Sequence, residues 1–125
     1  MDKEEVQKRV LHRGKQIELY DFSWDEKTKT FSSDLDNLVL DFSCIDDCNF
    51  ITGYGCKFKT GSYCNFKTGF NCKFKTGNDC NFRTGGGDVF NTGKDCKFET
   101  YSYCTFKTND EIQICPYRVN GVLSK

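Results

Sequence analysis

The chain has 125 residues, with 18 basic and 18 acidic side chains, one proline and nine cysteines. One domain is the simplest organisation at this length, large enough to bury a core without cross-links. The charged opening MDKEEVQKRVLHRGK and the lack of any long apolar run argue against a signal peptide or a membrane anchor, and the odd cysteine count argues against a secreted disulfide scaffold.

The neutral total hides a split. Residues 1–47 carry 7 basic against 12 acidic side chains, residues 48–108 carry 9 against 4, and 109–125 carry two of each. Glu4 to Leu11 predicts a short amphipathic helix with Val6, Val10 and Leu11 on one side and His12 at its charged end. DFSWDEKTKTFSS, residues 21–33, predicts a hairpin around a polar EKT turn. Together these form an expected N-terminal cap over residues 1–37. Asp34-Leu35-Asp36-Asn37 lacks the glycine and terminal glutamate of an EF-hand loop and reads as a polar turn.

From about residue 38 to 116 the chain repeats every eight residues. The units are CNFITGYG from Cys48, CKFKTGSY from Cys56, CNFKTGFN from Cys64, CKFKTGND from Cys72 and CNFRTGGG from Cys80. DVFNTGKD from Asp88, CKFETYSY from Cys96 and CTFKTNDE from Cys104 follow. LDFSCIDD places Leu40, Phe42 and Cys44 in the Cys, Phe and Thr slots, and EIQIC places Ile112 and Ile114 in the first two. Residues 117–125, with Pro116 before them and Asn120-Gly121 within, are expected to cap the far end.

Cys, Phe and Thr alternate with mostly Lys, Asn and Arg, so on a strand the first three share one face and the rest share the other. Phe is the residue to bury, and Cys beside it behaves as a small hydrophobe. Thr-Gly closes each strand, with glycine expected to supply the corner's unusual dihedrals. Five strand residues and a three-residue corner make one side of a coil. The fold class is therefore mainly β, a parallel β-solenoid with a small α+β N-terminal cap. Asn49, Lys57, Asn65, Lys73 and Asn81 alternate with a period of sixteen, which favours two octads per coil; Val89 breaks the alternation and leaves three per coil as the alternative. Stacked cysteines would sit about 4.8 Å apart with parallel Cβ vectors, a poor geometry for disulfides, so free thiols are expected.

At these octads, and in the lead-in FSWDEKTKTFSS and NLVLDFS, the chain resembles bacteriophage-encoded proteins built on Cys-x-Phe-x-Thr-Gly repeats, over about residues 10 to 108. A looser similarity is to pentapeptide-repeat solenoids. The resemblance implies a phage origin, a location in the host cytoplasm and a solenoid; it transfers no active site.

No catalytic residue, metal site or cofactor is expected. There is no CxxC pair, His12 is the sole histidine, and the cysteines mark a repeat position rather than one reactive group. Asp88 fills an inward Cys slot after Gly85-Gly86-Gly87, so it is expected to be rescued by hydrogen bonds or solvent at a distorted corner. The outward lysines are the main functional signal. With two octads per coil, one face carries Lys57, Lys59, Lys73, Lys75 and Lys107 with no acid among its outward slots. The other carries Lys67, Arg83 and Lys97 among Asn49, Asn65, Asn81 and Glu99. Solubility alone accounts for such a ladder in many proteins; binding an anionic partner is the functional alternative. Tyr54, Tyr63, Phe70, Tyr101 and Tyr103 sit at corners and form a candidate protein-binding rim. The inward threonines argue against an ice-binding array. The expectation is a non-enzymatic solenoid binding a macromolecule, with a host protein ahead of nucleic acid and no membrane partner. A structural virion component and a basic-face nucleic-acid binder are the alternatives.

Overall fold

The computed structural model of the chain describes residues 1–108, 111–115 and 119–122. Asp2 caps a short helix, α1 (Lys3–Gln7): its carboxylate accepts the Glu5 amide at 2.9 Å, and the Asp2 amide donates to Glu5 at 3.1 Å. This reciprocal pairing satisfies amides that a helix start otherwise leaves open. The helix stops at Gln7 and does not reach Leu11. Residues 10–12 form β1 (Val10–His12), which turns through Arg13 (φ 55°) and Gly14 (φ 78°) into β2 (Lys15–Gln16). Two left-handed residues in a two-residue loop match the twist of a hairpin. Val10 and His12 pair antiparallel with Leu40 and Leu38. Covering an open sheet edge outweighs a short helical period.

A 3-10 turn (Leu19–Asp21) leads to the expected hairpin, β3 (Ser23–Asp25) and β4 (Thr30–Ser32), where Asp25 accepts the Lys27 and Thr28 amides across the turn. The repeat supplies β5 (Leu38–Phe42), β6 (Asn49–Ile51), β7 (Lys57–Thr60), β8 (Asn65–Lys67) and β9 (Lys73–Lys75). It continues with β10 (Asn81–Arg83), β11 (Val89–Thr92), β12 (Lys97–Thr100) and β13 (Cys104–Thr108), then β14 (Glu111–Cys115) and β15 (Val119–Val122).

Two sheets result, in the orders β14-β13-β11-β9-β7-β5-β1-β2 and β15-β12-β10-β8-β6-β4-β3. Phe58, Phe74, Phe90 and Phe106 are register partners in the first; Phe50, Phe66, Phe82 and Phe98 are register partners in the second. Each of these partners lies two octads from the next. The molecule is thus a flattened parallel β-solenoid of two strands per coil, and the three-octad alternative does not hold.

Both ends close with antiparallel strands: β14 on β13, β15 on β12, β3 on β4 and β1 on β5. EIQIC is therefore a returning hairpin strand, not a further octad. Two residues separate it from β13 in sequence, too few for a parallel crossover. β15 carries Asn120-Gly121 onto the other sheet; Pro116 lies outside the described residues.

The first coil is shifted in phase. Leu40 pairs with Phe58 and Phe42 with Thr60, so Leu40 fills the Phe slot and Phe42 the Thr slot. The following corner, residues 43–47, is two residues longer than the regular corner 61–63, and this restores the frame at Cys48. Cys44 consequently sits exposed in that corner with φ 64° instead of pointing inward.

The interior is a herringbone of phenylalanines. Within each sheet the rings stack nearly parallel: Phe58–Phe74 at 5.0 Å and 3°, Phe66–Phe82 at 4.8 Å and 3°. Between sheets they meet edge to face, as in Phe74–Phe82 at 5.0 Å and 76°. Both arrangements suit the ring quadrupole, adding about 0.5–1.5 kcal/mol per pair beyond area burial. Thr60, Thr68 and Thr84 each donate a hydroxyl to the next glycine's carbonyl.

The glycine after each threonine has a different role from the one its position implied. The left-handed residue of a corner is the one before the Cys slot: Gly55, Tyr63, Asn71, Asp79, Gly87, Asp95 and Tyr103 all have φ between 57° and 70°. The Thr-Gly glycine is needed for closeness. A Cβ on Gly85 would stand 2.8–2.9 Å from Phe70 Cβ, Cα and N in the coil beneath.

Candidate binding surface

The outward slots of the two sheets differ in chemistry. On the β5-β7-β9-β11-β13 face, one column runs Val39, Lys57, Lys73, Val89, Thr105 and the next runs Asp41, Lys59, Lys75, Asn91, Lys107. Lys57, Lys59, Lys73 and Lys75 form a block of four exposed cations on adjacent strands, about 4.8 Å apart from strand to strand. A groove of about 280 Å³ runs between the columns over Phe58 and Phe74. The phase shift of the first coil brings Asp41 onto this face beside Lys59, so the face is not free of acid. Hydrogen bonds from the Ser43 hydroxyl and amide hold the Asp41 carboxyl below its usual range, with Lys59 and Arg9 adding smaller contributions. Lys107 stands apart from the block, beyond Asn91.

On the other sheet the charges are dispersed. Asn81 donates to Asn65 at 2.7 Å, Asn65 to Asn49 at 2.8 Å, and Asn49 to the Thr28 carbonyl at 2.9 Å. Arg83 pairs with Glu99 at 3.1 Å, while Lys67 stands between Ile51 and Arg83. The amide ladder satisfies itself without any partner.

The corners divide between the two narrow edges of the tube. Residues 53–55, 69–71, 85–87 and 101–103 form one edge, which collects Tyr54, Phe70, Tyr101 and Tyr103. Tyr63 goes to the opposite edge with Asp46, Asp79 and Asp95. On the aromatic edge Tyr54 and Phe70 stack at 5.2 Å and 6°. The glycine triplet then opens a cleft of about 670 Å³ bordered by Phe70, Tyr101, Tyr103, Lys67 and Arg83. All four of these aromatics are readable as corner residues from the sequence; the cleft is not. Its signal was present in the sixteen-residue series Tyr54, Phe70, Gly86, Ser102.

Asp88 is fully buried and is not solvated. Its carboxylate accepts the Cys72 amide at 2.8 Å and the Cys104 thiol at 3.7 Å. It thereby does for Cys72 what the Cys96 sulfur does for the Cys80 amide at 3.4 Å. Burial pushes the Asp88 carboxyl up to about 6, against the hydrogen bonds from Thr84, Cys72 and Cys104. Burial likewise pushes the Cys48 thiol up to about 11. The array thiols are free and donate weakly to corner carbonyls, as Cys80 does to Gly61 at 3.7 Å.

Among the described residues, no group of three or more His, Cys, Asp or Glu side chains is placed to hold a metal ion. No helix among them is long and apolar enough to cross a membrane. Fold and surface together define a capped parallel β-solenoid with one basic sheet face and one aromatic edge. The chain matches no family model, no curated protein and no solved structure.

Proposed function

We propose that this protein is a non-catalytic binding module that docks an acidic protein surface on the face of Lys57, Lys59, Lys73 and Lys75. The repeats' resemblance to phage-encoded proteins makes a host protein, bound in the host cytoplasm and inhibited or modulated, the concrete form of this reading. The observation that carries it is the register: Lys57 lies beside Lys73 and Lys59 beside Lys75 on neighbouring strands. Like charges in that relation are destabilising. The opposite sheet fills equivalent slots with an amide ladder and an ion pair, so the fold itself does not demand lysine there. A rigid stack with fixed charge spacing selects a complementary acidic pattern and speeds encounter.

The test is the quadruple Lys→Gln variant. It is expected to melt at or above the parent temperature while its affinity for the co-purifying partner falls about tenfold or more, from roughly 0.3–0.5 kcal/mol per exposed ion pair. Parent binding should weaken with salt. A variant that keeps its partner and only loses solubility would contradict the proposal. Loss of nucleic acid, or of association with phage particles, in place of a protein would favour one of the other two readings.

A further inference from the structure

The aromatic edge contains a gap one ring high. Tyr54 and Phe70 stack in successive coils, and the residue that would continue the column is Gly86. No side chain fits there: a Cβ on Gly86 would stand 2.6 Å from the Ser102 carbonyl oxygen. One coil further on, Tyr101 and Tyr103 stand exposed on either side of Ser102. Successive strands are about 4.8 Å apart, so the tyrosines begin about 9.6 Å above Phe70, room for a single intercalated ring. The Tyr54–Phe70 spacing of 5.2 Å shows that this edge already accommodates such stacking. Lys67 lies three residues before Phe70 on one sheet and Lys73 three residues after it on the other. Corners 53–55, 69–71, 85–87 and 101–103 contain no acidic residue; Asp34 and Asp36 lie in the corner on the far side of Tyr54.

We infer that the cleft takes one aromatic side chain from an acidic segment of the partner protein. The ring stacks on Phe70 beneath the tyrosines, and flanking carboxylates meet Lys67 and Lys73. This rests on the proposed basic-face reading and adds an anchor to it. An aromatic anchor in a pocket with a charged rim is a common way for an interface to concentrate affinity. Single-stranded nucleic acid fits less well, because successive bases need successive platforms. Here the place below is closed by the Tyr54–Phe70 stack.

The probe is a synthetic peptide, EDEWEDE, titrated into the full chain at low salt by isothermal titration calorimetry, beside EDEAEDE and an oligothymidine of equal length. The tryptophan peptide is expected to bind about tenfold tighter than the alanine peptide, as burial and stacking of one ring allow. Phe70→Ser should abolish that difference, and Tyr63→Asn on the other edge should leave it intact. Ser62 and Ser102 already occupy the equivalent corner place, so Phe70→Ser is compatible with the fold. Tyr103→Asn, matching Asn71, provides a second variant that should also lose the ring-dependent part. Equal binding of the two peptides, binding of neither, ring-dependent binding that survives both edge variants, or tighter binding of oligothymidine would overturn the inference. A triple variant, Lys57→Gln, Lys59→Gln and Lys75→Gln, leaves Lys73 in place and separates the two readings. If it keeps the tryptophan preference while Phe70→Ser loses it, the slot stands and the basic face falls. The reverse pattern removes the slot and leaves the face.

Discussion

The two narrow edges of the tube solve the same stacking problem in different ways. On the polar edge each corner side chain accepts the amide of the corner above. Asp46 accepts from Ser62 at 2.7 Å, Ser62 from Asn78 at 2.9 Å, and Asn78 from Lys94 at 2.8 Å. The other edge begins identically, with Asp36 accepting the Tyr54 amide at 3.1 Å. It then turns to Tyr54, Phe70 and Gly86, and neither phenylalanine nor glycine offers a side-chain acceptor. One edge spends its corner residues on holding coils together; the other exposes rings. The coils are bound chiefly by their sheets and their phenylalanine core, which leaves one edge free for recognition.

The contrast is sharpest for phenylalanine itself. Phe82→Ala, in the centre of the herringbone, is expected to cost about 4 kcal/mol in denaturant unfolding, in the range for emptying a core aromatic site. Phe70→Ser, on the exposed edge, should change stability by no more than about 0.5 kcal/mol, as for surface substitutions. It also restores an acceptor of the Ser62 kind. Comparable costs at the two sites would mean that the edge ring is structural.

Asp88 enters the sheet just after the glycine triplet, and it titrates. Its folded pKa of about 6 lies above its ordinary value, so the folded state holds the proton more tightly than the unfolded chain does. Its contribution to stability is greatest below about pH 4 and is lost as pH rises through about 6, a change of about 3 kcal/mol. Asp88→Asn keeps an acceptor for the Cys72 amide and removes the charge. The difference in unfolding free energy between variant and parent should therefore shift by most of that amount, about 2 kcal/mol, between pH 4 and pH 7, in the variant's favour. A constant difference would show that the carboxylate is accommodated as an anion.

A smaller effect checks the polar edge. Asn78→Ala removes the acceptor for the Lys94 amide and should cost about 1 kcal/mol, the usual net worth of a hydrogen bond. No loss would show that the staircase of side-chain acceptors is dispensable, and the two edges would then differ only in exposure.

Much of this architecture was legible because an eight-residue period with three inward slots admits few solutions. Phe and Cys at alternate positions define a strand face, and the Asn/Lys alternation across octads already pointed to two per coil. What escaped the pattern depended on contacts between coils. LDFSCIDD fits the octad in two phases, and only the pairing of Leu40 with Phe58 chooses between them. That choice moved Asp41 onto the lysine face and Cys44 out of the core. A glycine in Thr-Gly looks the same whether it is needed for its dihedrals or for the 2.8 Å approach at Gly85. The lysine block was readable from alternation alone. The ring-sized cleft needed Gly86 to be set between Phe70 below and Ser102 above.

The most direct measurement is amide chemical-shift mapping of the labelled full chain titrated with EDEWEDE at low salt. Shifts are expected to concentrate at residues 57–59 and 73–75 on the basic face and at 69–71, 85–87 and 101–103 on the aromatic edge. Residues 61–63, 77–79 and 93–95 should stay in place. Shifts centred on that polar edge or on the amide-ladder sheet, or no shifts at all, would contradict docking at these two surfaces.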